Sequence, residues 1–322
     1  MKRLLDHALF PVLFVATLVT GWVVNKWVTT QHGLTGVIVG WITFFGVVAV
    51  ILFIEHLRPF EPAWNRRDGQ IVNDMALPLI ASLLFFMVPF ATWYANGLTS
   101  ALERAPYLKF FHIWPANWPA IAAIPLGIMI YDLGPHLGHR WSHKVPLLWR
   151  FHSVHHAAPR LSALNTFRIH PGNSLVQIIC TTPIPMLLGM PPEIATWYAV
   201  LNNYVGILTH ANIDMRYGLF SYALNTAELH RWHHSPHRQE TDTNFGEVTV
   251  LWDHLFGTYF NPKRRPPRDV GVDFPVSARM LHQLWQPLTL AGHQPKNSMI
   301  QTLPPGEAGA NPQPYATYAR IL

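Results

Sequence analysis

Residues 149–156 read WRFHSVHH, and residues 227–234 read AELHRWHH. Both carry H-x-x-H-H, first as His152, His155 and His156, then as His230, His233 and His234, offset by 78 positions. Residues three and four apart share one face of a helix, so each triplet lays its imidazoles along one stripe. His139 and His143 add a third stripe with the four-residue spacing. Twelve of the 19 histidines fall between His136 and His237. A lone histidine is more often a surface or hydrogen-bonded residue, and His7, His32, His56, His112, His282 and His293 are read that way. Three facing stripes are different, because at least eight imidazole nitrogens exceed what one ion coordinates. The spacing therefore points to two metals. With Cys180 the single cysteine, disulfides, Cys-based zinc sites and iron–sulfur clusters are excluded. Any metal is left to His, Asp and Glu.

The sequence around these stripes is short of charge. Half of the 322 residues are hydrophobic and 12% are charged, against about 25% in an average soluble domain. Ala8–Asn25, Gly33–Ile54, Met75–Ala95 and Ile113–Tyr131 contain no Asp, Glu, Lys or Arg, and their lengths lie near the roughly 20 residues that cross a bilayer core. The first is expected to be an uncleaved helix, since its apolar run is longer than a signal peptide's and lacks a clear small-residue cleavage site. Ile169–Pro192 and Ile194–Thr209 are also uncharged apart from Glu193 between them, but prolines interrupt them. They read as a spanning or re-entrant hairpin at about 174–209. Placing Lys2 and Arg3 in the cytoplasm leaves three of 23 basic residues outside, in line with the positive-inside tendency. The histidine stripes then lie on the cytoplasmic side. The net charge of +6 fits anionic lipid headgroups without any nucleic acid.

The expected architecture is all-α: an integral membrane helical bundle with a cytoplasmic helical cap carrying a histidine-rich di-metal site. Three parts are expected: transmembrane helices in 1–133, a histidine-bearing region in 134–260 that includes the hairpin, and a Pro-rich cytoplasmic tail in 261–322. The tail holds ten of the 28 prolines and the run Lys263-Arg264-Arg265. Within it, Met280, Leu281, Leu284 and Trp285 recur at helical spacing, which predicts a short amphipathic helix over 278–285.

Imidazole suits zinc, copper, iron and nickel. A zinc peptidase would show H-E-x-x-H, yet no His here precedes a Glu. A transporter would place ionisable ligands near the bilayer midplane, whereas the expected spans are almost free of them. Ligands gathered where spans meet water suit chemistry on a lipid whose apolar chain stays in the membrane. A nitrogen-rich, thiolate-free set suits iron working with O₂. A non-catalytic zinc or iron carrier is the alternative from another class.

His139-Arg140-Trp141-Ser142-His143, Trp149-x-x-His152-x-x-His155-His156 and His230-x-x-His233-His234 resemble the three histidine boxes of the fatty acid hydroxylase/sterol desaturase superfamily. Asp132, Asn244-Phe245-Gly246 and Trp252-Asp253-x-Leu255-Phe256-Gly257-Thr258 resemble its flanking features. The resemblance covers about 128–260 and implies a membrane-bound oxidoreductase of lipid metabolism with two non-haem iron ions and O₂ as co-substrate. Such an enzyme hydroxylates an unactivated C–H bond of a fatty acyl chain, sterol or related lipid; a desaturase with the same ligands is the alternative. The ligand set it implies is His139, His143, His152, His155, His156, His210, Asp214, His230, His233 and His234, the two from His210-Ala211-Asn212-Ile213-Asp214 matching an extra H-x-x-x-D segment. Asp132, His136, His170 and Asn244 are expected to support those ligands, His170 within an Arg-x-His-Pro turn. No flavin or dinucleotide fingerprint is present, so electrons are expected from a reductase through a ferredoxin or b-type cytochrome. The compact loops favour a bacterial inner membrane over the endoplasmic reticulum, and the sequence leaves the oligomeric state open.

Overall fold

The structure is a computed structural model that describes residues 2–30, 34–83, 87–272, 274, 277 and 279–289. These residues form helices joined by short loops; the two isolated β-bridges, Pro59–Ile213 and Leu224–Thr249, are the extended pairing among them. The helices are α1 (Lys2–Thr30), α2 (Leu34–Leu57), α3 (Ile71–Leu83), α4 (Met87–Arg104), α5 (Ala120–Tyr131), α6 (Leu133–Lys144) and α7 (Pro146–His156). They continue as α8 (Pro171–Thr181), α9 (Pro183–Leu188), α10 (Pro192–Val200), α11 (Ile207–His210), α12 (Ala227–His233), α13 (Arg238–Thr241), α14 (Leu251–Phe256) and α15 (Met280–Thr289).

Among the described residues, three segments are long and apolar enough to cross a membrane: Leu5–Trp27, Ile38–Leu57 and Ala120–Lys144. The first overruns the expected Ala8–Asn25 by three residues at its start and two at its end, and the second starts later than Gly33 and ends three residues beyond Ile54. Val12, Val15, Val19, Ile42, Val50 and Phe53 are more than half exposed on them, as side chains facing lipid are. The third uncharged stretch falls on α3 and α4, with 84–86 between them outside the described residues. One expectation changes. The fourth begins at Ala120 instead of Ile113 and runs on through α6, because 113–119 with Pro115 and Pro119 stay outside the helix. The first histidine box thus lies inside a membrane-capable segment rather than beyond it. The hairpin consists of α8, α9 and α10, each opened by a proline at its first turn, where the missing N–H costs nothing. One π-turn over Leu201–Val205 links α10 to α11.

Two devices dock these layers. Gly134 and Gly138, four apart on α6, face α8; a Cβ at Gly134 would lie 2.6 Å from the Cys180 carbonyl oxygen and 2.7 Å from Thr181 Cα. Glycine lets the two backbones touch, as small residues do wherever helices cross closely. At the end of α2, the buried carboxylate of Glu55 accepts from Ser162 Oγ (2.9 Å), Ala163 N (2.7 Å) and Asn212 N (3.0 Å). A single acid thereby ties the loop after α7 and the loop after α11 to a membrane helix.

The C-terminal part is more ordered than its composition implies. The amphipathic helix is present as α15, with Gln283 buried and Leu281, Trp285 and Leu288 exposed. Nor is the basic run free: Arg264 lies over the Trp232 ring at 4.2 Å and pairs with Glu240, while Arg265 lies over Phe60 at 4.4 Å. Residues 290–322 lie outside the described residues.

Candidate metal centre

Nine buried imidazoles converge between α6, α7, α11 and α12. They fall into two groups: His139, His143, His152, His156 and His233 in one, His155, His210, His230 and His234 in the other. Within each group the nitrogens lie within 4.8 Å of one another. Neither group corresponds to one box. In the first triplet the i, i+4 pair His152 and His156 faces the first group, while His155 turns to the second. In the second triplet His230 and His234 face the second group, while His233 crosses to the first.

Hydrogen bonds on the outer ring nitrogens fix which nitrogen carries the proton. His139 Nδ1 faces the Phe245 carbonyl at 2.9 Å and His233 Nδ1 the Thr243 carbonyl at 2.7 Å. A carbonyl only accepts, so both Nδ1 atoms donate and both Nε2 atoms are bare lone pairs. Those two Nε2 atoms are buried and have no hydrogen-bond partner. His143 Nδ1 lies 3.4 Å from the Asp242 carboxylate. His210 Nδ1 lies 3.0 Å from Asn165 Oδ1. That oxygen also accepts from Ser162 N, while the Asn165 Nδ2 donates to the Arg160 carbonyl, so the amide orientation is settled. Four imidazoles are thereby locked with an inward Nε2 lone pair.

Inside the cluster like nitrogens face each other. His156 Nε2 is 3.1 Å from both His143 Nε2 and His152 Nε2; His230 Nε2 is 2.8 Å from His210 Nε2 and 3.0 Å from His234 Nε2. Ligand nitrogens about 2.1 Å from one ion and at right angles sit about 3.0 Å apart. Without a cation, each buried unpaired nitrogen would cost about 1–3 kcal/mol. Burial, reinforced by the neighbouring imidazoles, holds His152, His156, His210, His230, His233 and His234 well below the usual histidine range. Burial takes His155 down to about 4. Neutral imidazoles are the form that binds metal, so donor type, protonation and spacing all fit two ions.

All nine expected histidines reach the cluster, and Asp214 does not. The helical spacing that would put it on the His210 face is lost at Ala211, where ψ turns to 128°. From there the chain runs extended, Ile213 pairs with Pro59, and the Asp214 side chain is exposed.

Of the four expected supporting residues, Asn244 stands behind the ligands through its loop, and the other three take other places. Asp132 touches no imidazole; it accepts from Tyr198 Oη (2.6 Å), Thr249 N (2.9 Å) and Thr249 Oγ1 (2.9 Å), binding the hairpin and the 248–249 loop to the α5–α6 junction. His136 is fully buried between Phe245 and Phe256, with Nδ1 3.8 Å from Asp253, and belongs to neither group. His170 opens α8 in the expected turn, Nδ1 accepting from Gly172 N at 2.9 Å and Nε2 donating to the Leu284 carbonyl at 3.1 Å. Asn244, in the left-handed region at φ 52°, donates to the Leu229 and Phe260 carbonyls. It supports the loop whose carbonyls hold His139 and His233.

The groups that stand behind the ligands were not given that role from the sequence: Asn165, Asp242, the carbonyls of Thr243 and Phe245, and Asn225, whose amide lies 3.3 Å from His230 Nδ1. Asp253 fixes that carbonyl loop, accepting from Phe245 N and Gly246 N at 2.8 Å each. The run Asp242-Thr243-Asn244-Phe245-Gly246, with Asp253 beyond it, was the available signal. Asn165 had none, because its partner lies 45 residues away.

Five of the imidazoles, His139, His152, His155, His210 and His230, form one wall of a cavity of about 310 Å³ between α6, α8, α10 and α11. A narrow apolar crevice lined by Phe10 and Phe14 of α1 and Leu201, Val205 and Leu208 shares Gly206, Thr209, Asn225 and Glu247 with it. The Glu247 side chain is 33% exposed and lies 3.5 Å from His139 Nδ1. Burial, with Asp132 nearby, pushes its carboxyl up to about 8.

Residues 124–258 match the family model described as fatty acid hydroxylase. The chain is 36% identical over 277 residues to the ornithine lipid hydroxylase OlsE of Rhizobium tropici, covering 84% of this chain and 83% of that protein. It is 30% identical over 194 residues to a cholesterol 25-hydroxylase-like protein of Danio rerio, covering 57% of this chain and 70% of the relative. With human alkylglycerol monooxygenase it shares 27% identity over 189 residues, 58% of this chain and 41% of that longer protein. No solved structure matches. The three boxes, the paired histidine groups and the extent of these likenesses agree: the chain belongs to the fatty acid hydroxylase family, and it is an oxidoreductase.

Proposed function

We propose that this chain hydroxylates an unactivated C–H bond of a membrane lipid, using two non-haem iron ions and O₂. The observation that carries this reading is the pair of adjoining buried histidine groups forming one wall of a cavity that meets a membrane-capable helix. His139, His143, His152, His156 and His233 would hold one iron; His155, His210, His230 and His234 the other. Bound iron supplies the activation of O₂ that C–H cleavage requires.

The chain's own residues do the rest. Asn165, Asp242 and the Thr243 and Phe245 carbonyls keep four imidazoles in the donor tautomer, so the ligands need no reorganisation when metal enters. The α6, α8 and hairpin walls exclude bulk water from the reacting bond. The largely apolar wall of the cavity, with Phe167, Ile169 and Ile178, suits the lipid's hydrocarbon. Electrons come from a separate reductase through a ferredoxin or b-type cytochrome, since Cys180 alone holds no cluster. With α3 and α4 completing a fourth crossing, as the basic-residue asymmetry of the loops requires, the centre faces the cytoplasm. The ornithine lipid named for OlsE is the first substrate to try.

Lipid extracts from cells expressing the chain, with iron analysis of the purified protein, test this. The expected result is about two iron ions per chain after anaerobic loading and a lipid heavier by one oxygen atom. A lipid lighter by two hydrogens would assign desaturation instead, and less than one iron per chain would refute the di-iron reading.

A further inference from the structure

The cavity beside the histidines has a largely apolar wall that carries a few polar groups. Asn173, Ser174, Gln177, Asn202 and Thr209 face it, and no Lys or Arg does. Its volume of about 310 Å³ lies at the small end of ligand sites. The crevice against α1, where Phe10, Phe14, Leu201, Val205 and Leu208 meet, is apolar as well and far smaller. The two spaces share Glu247. This carboxylate is the one acid on either wall, and among the described residues no Lys or Arg ion pair reaches it. Its protein contacts are weak: Gln177 Nε2 at 3.5 Å and the His139 ring at 3.5 Å, whose proton is already given to the Phe245 carbonyl at 2.9 Å. A carboxylate that faces a cavity without a cationic partner gains a charge-assisted hydrogen bond when an ammonium is brought to it.

From this juxtaposition we infer that Glu247 is the residue that selects the substrate, by pairing with an ammonium group on the lipid's headgroup. The headgroup then lies at Glu247, in the cavity beside the histidines. The inference rests on the reading of the chain as a lipid-modifying enzyme and adds to it the chemical class of the substrate. Glu247 acts here as a specificity residue: a lipid without the ammonium group forgoes that bond, which is how polar sites reject analogues.

The test is equilibrium binding to the full-length, iron-loaded chain in detergent micelles, without O₂ and without reductant. The probes are an ornithine lipid and the same lipid N-acetylated on its free amine. The wild-type chain is expected to bind the amine form at least about tenfold more tightly, the effect of one charged hydrogen bond. Glu247→Gln should bring the two within about twofold while iron content stays unchanged, and Glu247→Asp should retain most of the preference. A wild-type chain that does not discriminate, or a Glu247→Gln variant that still does, overturns the inference. Loss of iron in Glu247→Gln also overturns it, by assigning the carboxylate to the metal centre. Hydroxylation is scored separately with O₂ and an electron source. Discrimination without any oxygenated product would refute the proposed reaction and leave the recognition by Glu247 standing.

Discussion

Asn165 offers the sharpest separation between a metal centre and a histidine-rich core. Its side chain makes three buried hydrogen bonds: Oδ1 accepts from Ser162 N and His210 Nδ1, both at 3.0 Å, and Nδ2 donates to the Arg160 carbonyl at 2.8 Å. Asn165→Ala deletes all three. At about 1 kcal/mol for each bond, the metal-free chain should lose about 3 kcal/mol of stability. The metal effect is separate. With no acceptor behind it, His210 is free to carry its proton on Nε2, which removes that lone pair from the four-histidine group. Loss of such a supporting partner lowers metal affinity about 10- to 100-fold. The five-histidine group does not touch Asn165 and should be unaffected. Iron titrated into the variant should therefore fill one site as in the wild type and the other only at 10- to 100-fold higher free iron. Isothermal titration, or iron content at limiting supply, reads this directly. Two sites weakened equally, or neither weakened, would refute the assignment of two groups with separate outer partners.

Three further outcomes follow from the same geometry. Burial depresses His155 from 6.5 to about 4, so between those values the unfolded chain binds the proton and the folded chain does not. The metal-free protein should thus be fully stabilised above pH 6.5 and lose about 3 kcal/mol from this group as pH falls through about 4; denaturation at stepped pH checks it, and a flat profile over that window would contradict it. Gly134→Ala should cost about 1–3 kcal/mol or more by forcing α6 from α8, whereas Gly97→Ala, with nothing within 4 Å, should stay within about 1 kcal/mol of the wild type; the two thermal midpoints decide it. Cysteines placed one at a time at Lys263 and Glu193 in a Cys180→Ser background should react with an impermeant maleimide from opposite faces only if the hairpin spans; labelling from one face makes it re-entrant.

The nine histidines were legible because helical spacing alone sets which side chains share a face. Their division was not. His155 and His233 cross between groups through the angle at which α7 meets α12, and no local pattern encodes that angle. Asp214 shows the limit from the other side: spacing of four means proximity only while the helix continues, and it ends at Ala211. The spanning segments were found by their missing charges. The register of Ala120–Lys144 was not, because polar histidines interrupt its hydropathy although the helix runs on through them. Asp132 had the right spacing to stand behind His139, yet its four hydrogen bonds go to a tyrosine and a loop 66 and 117 residues away. The latching of Arg264 and Arg265 onto Trp232 and Phe60 likewise depends on tertiary neighbours that a basic run does not announce.

The crossing of His155 and His233 also governs assembly. Each group draws ligands from both α7 and α12, so neither half of the centre can exist before the other is built. Whatever docks α7 against α12 completes both groups at once, so a substitution that loosens this docking should weaken both positions together, where the loss of one outer partner weakens one.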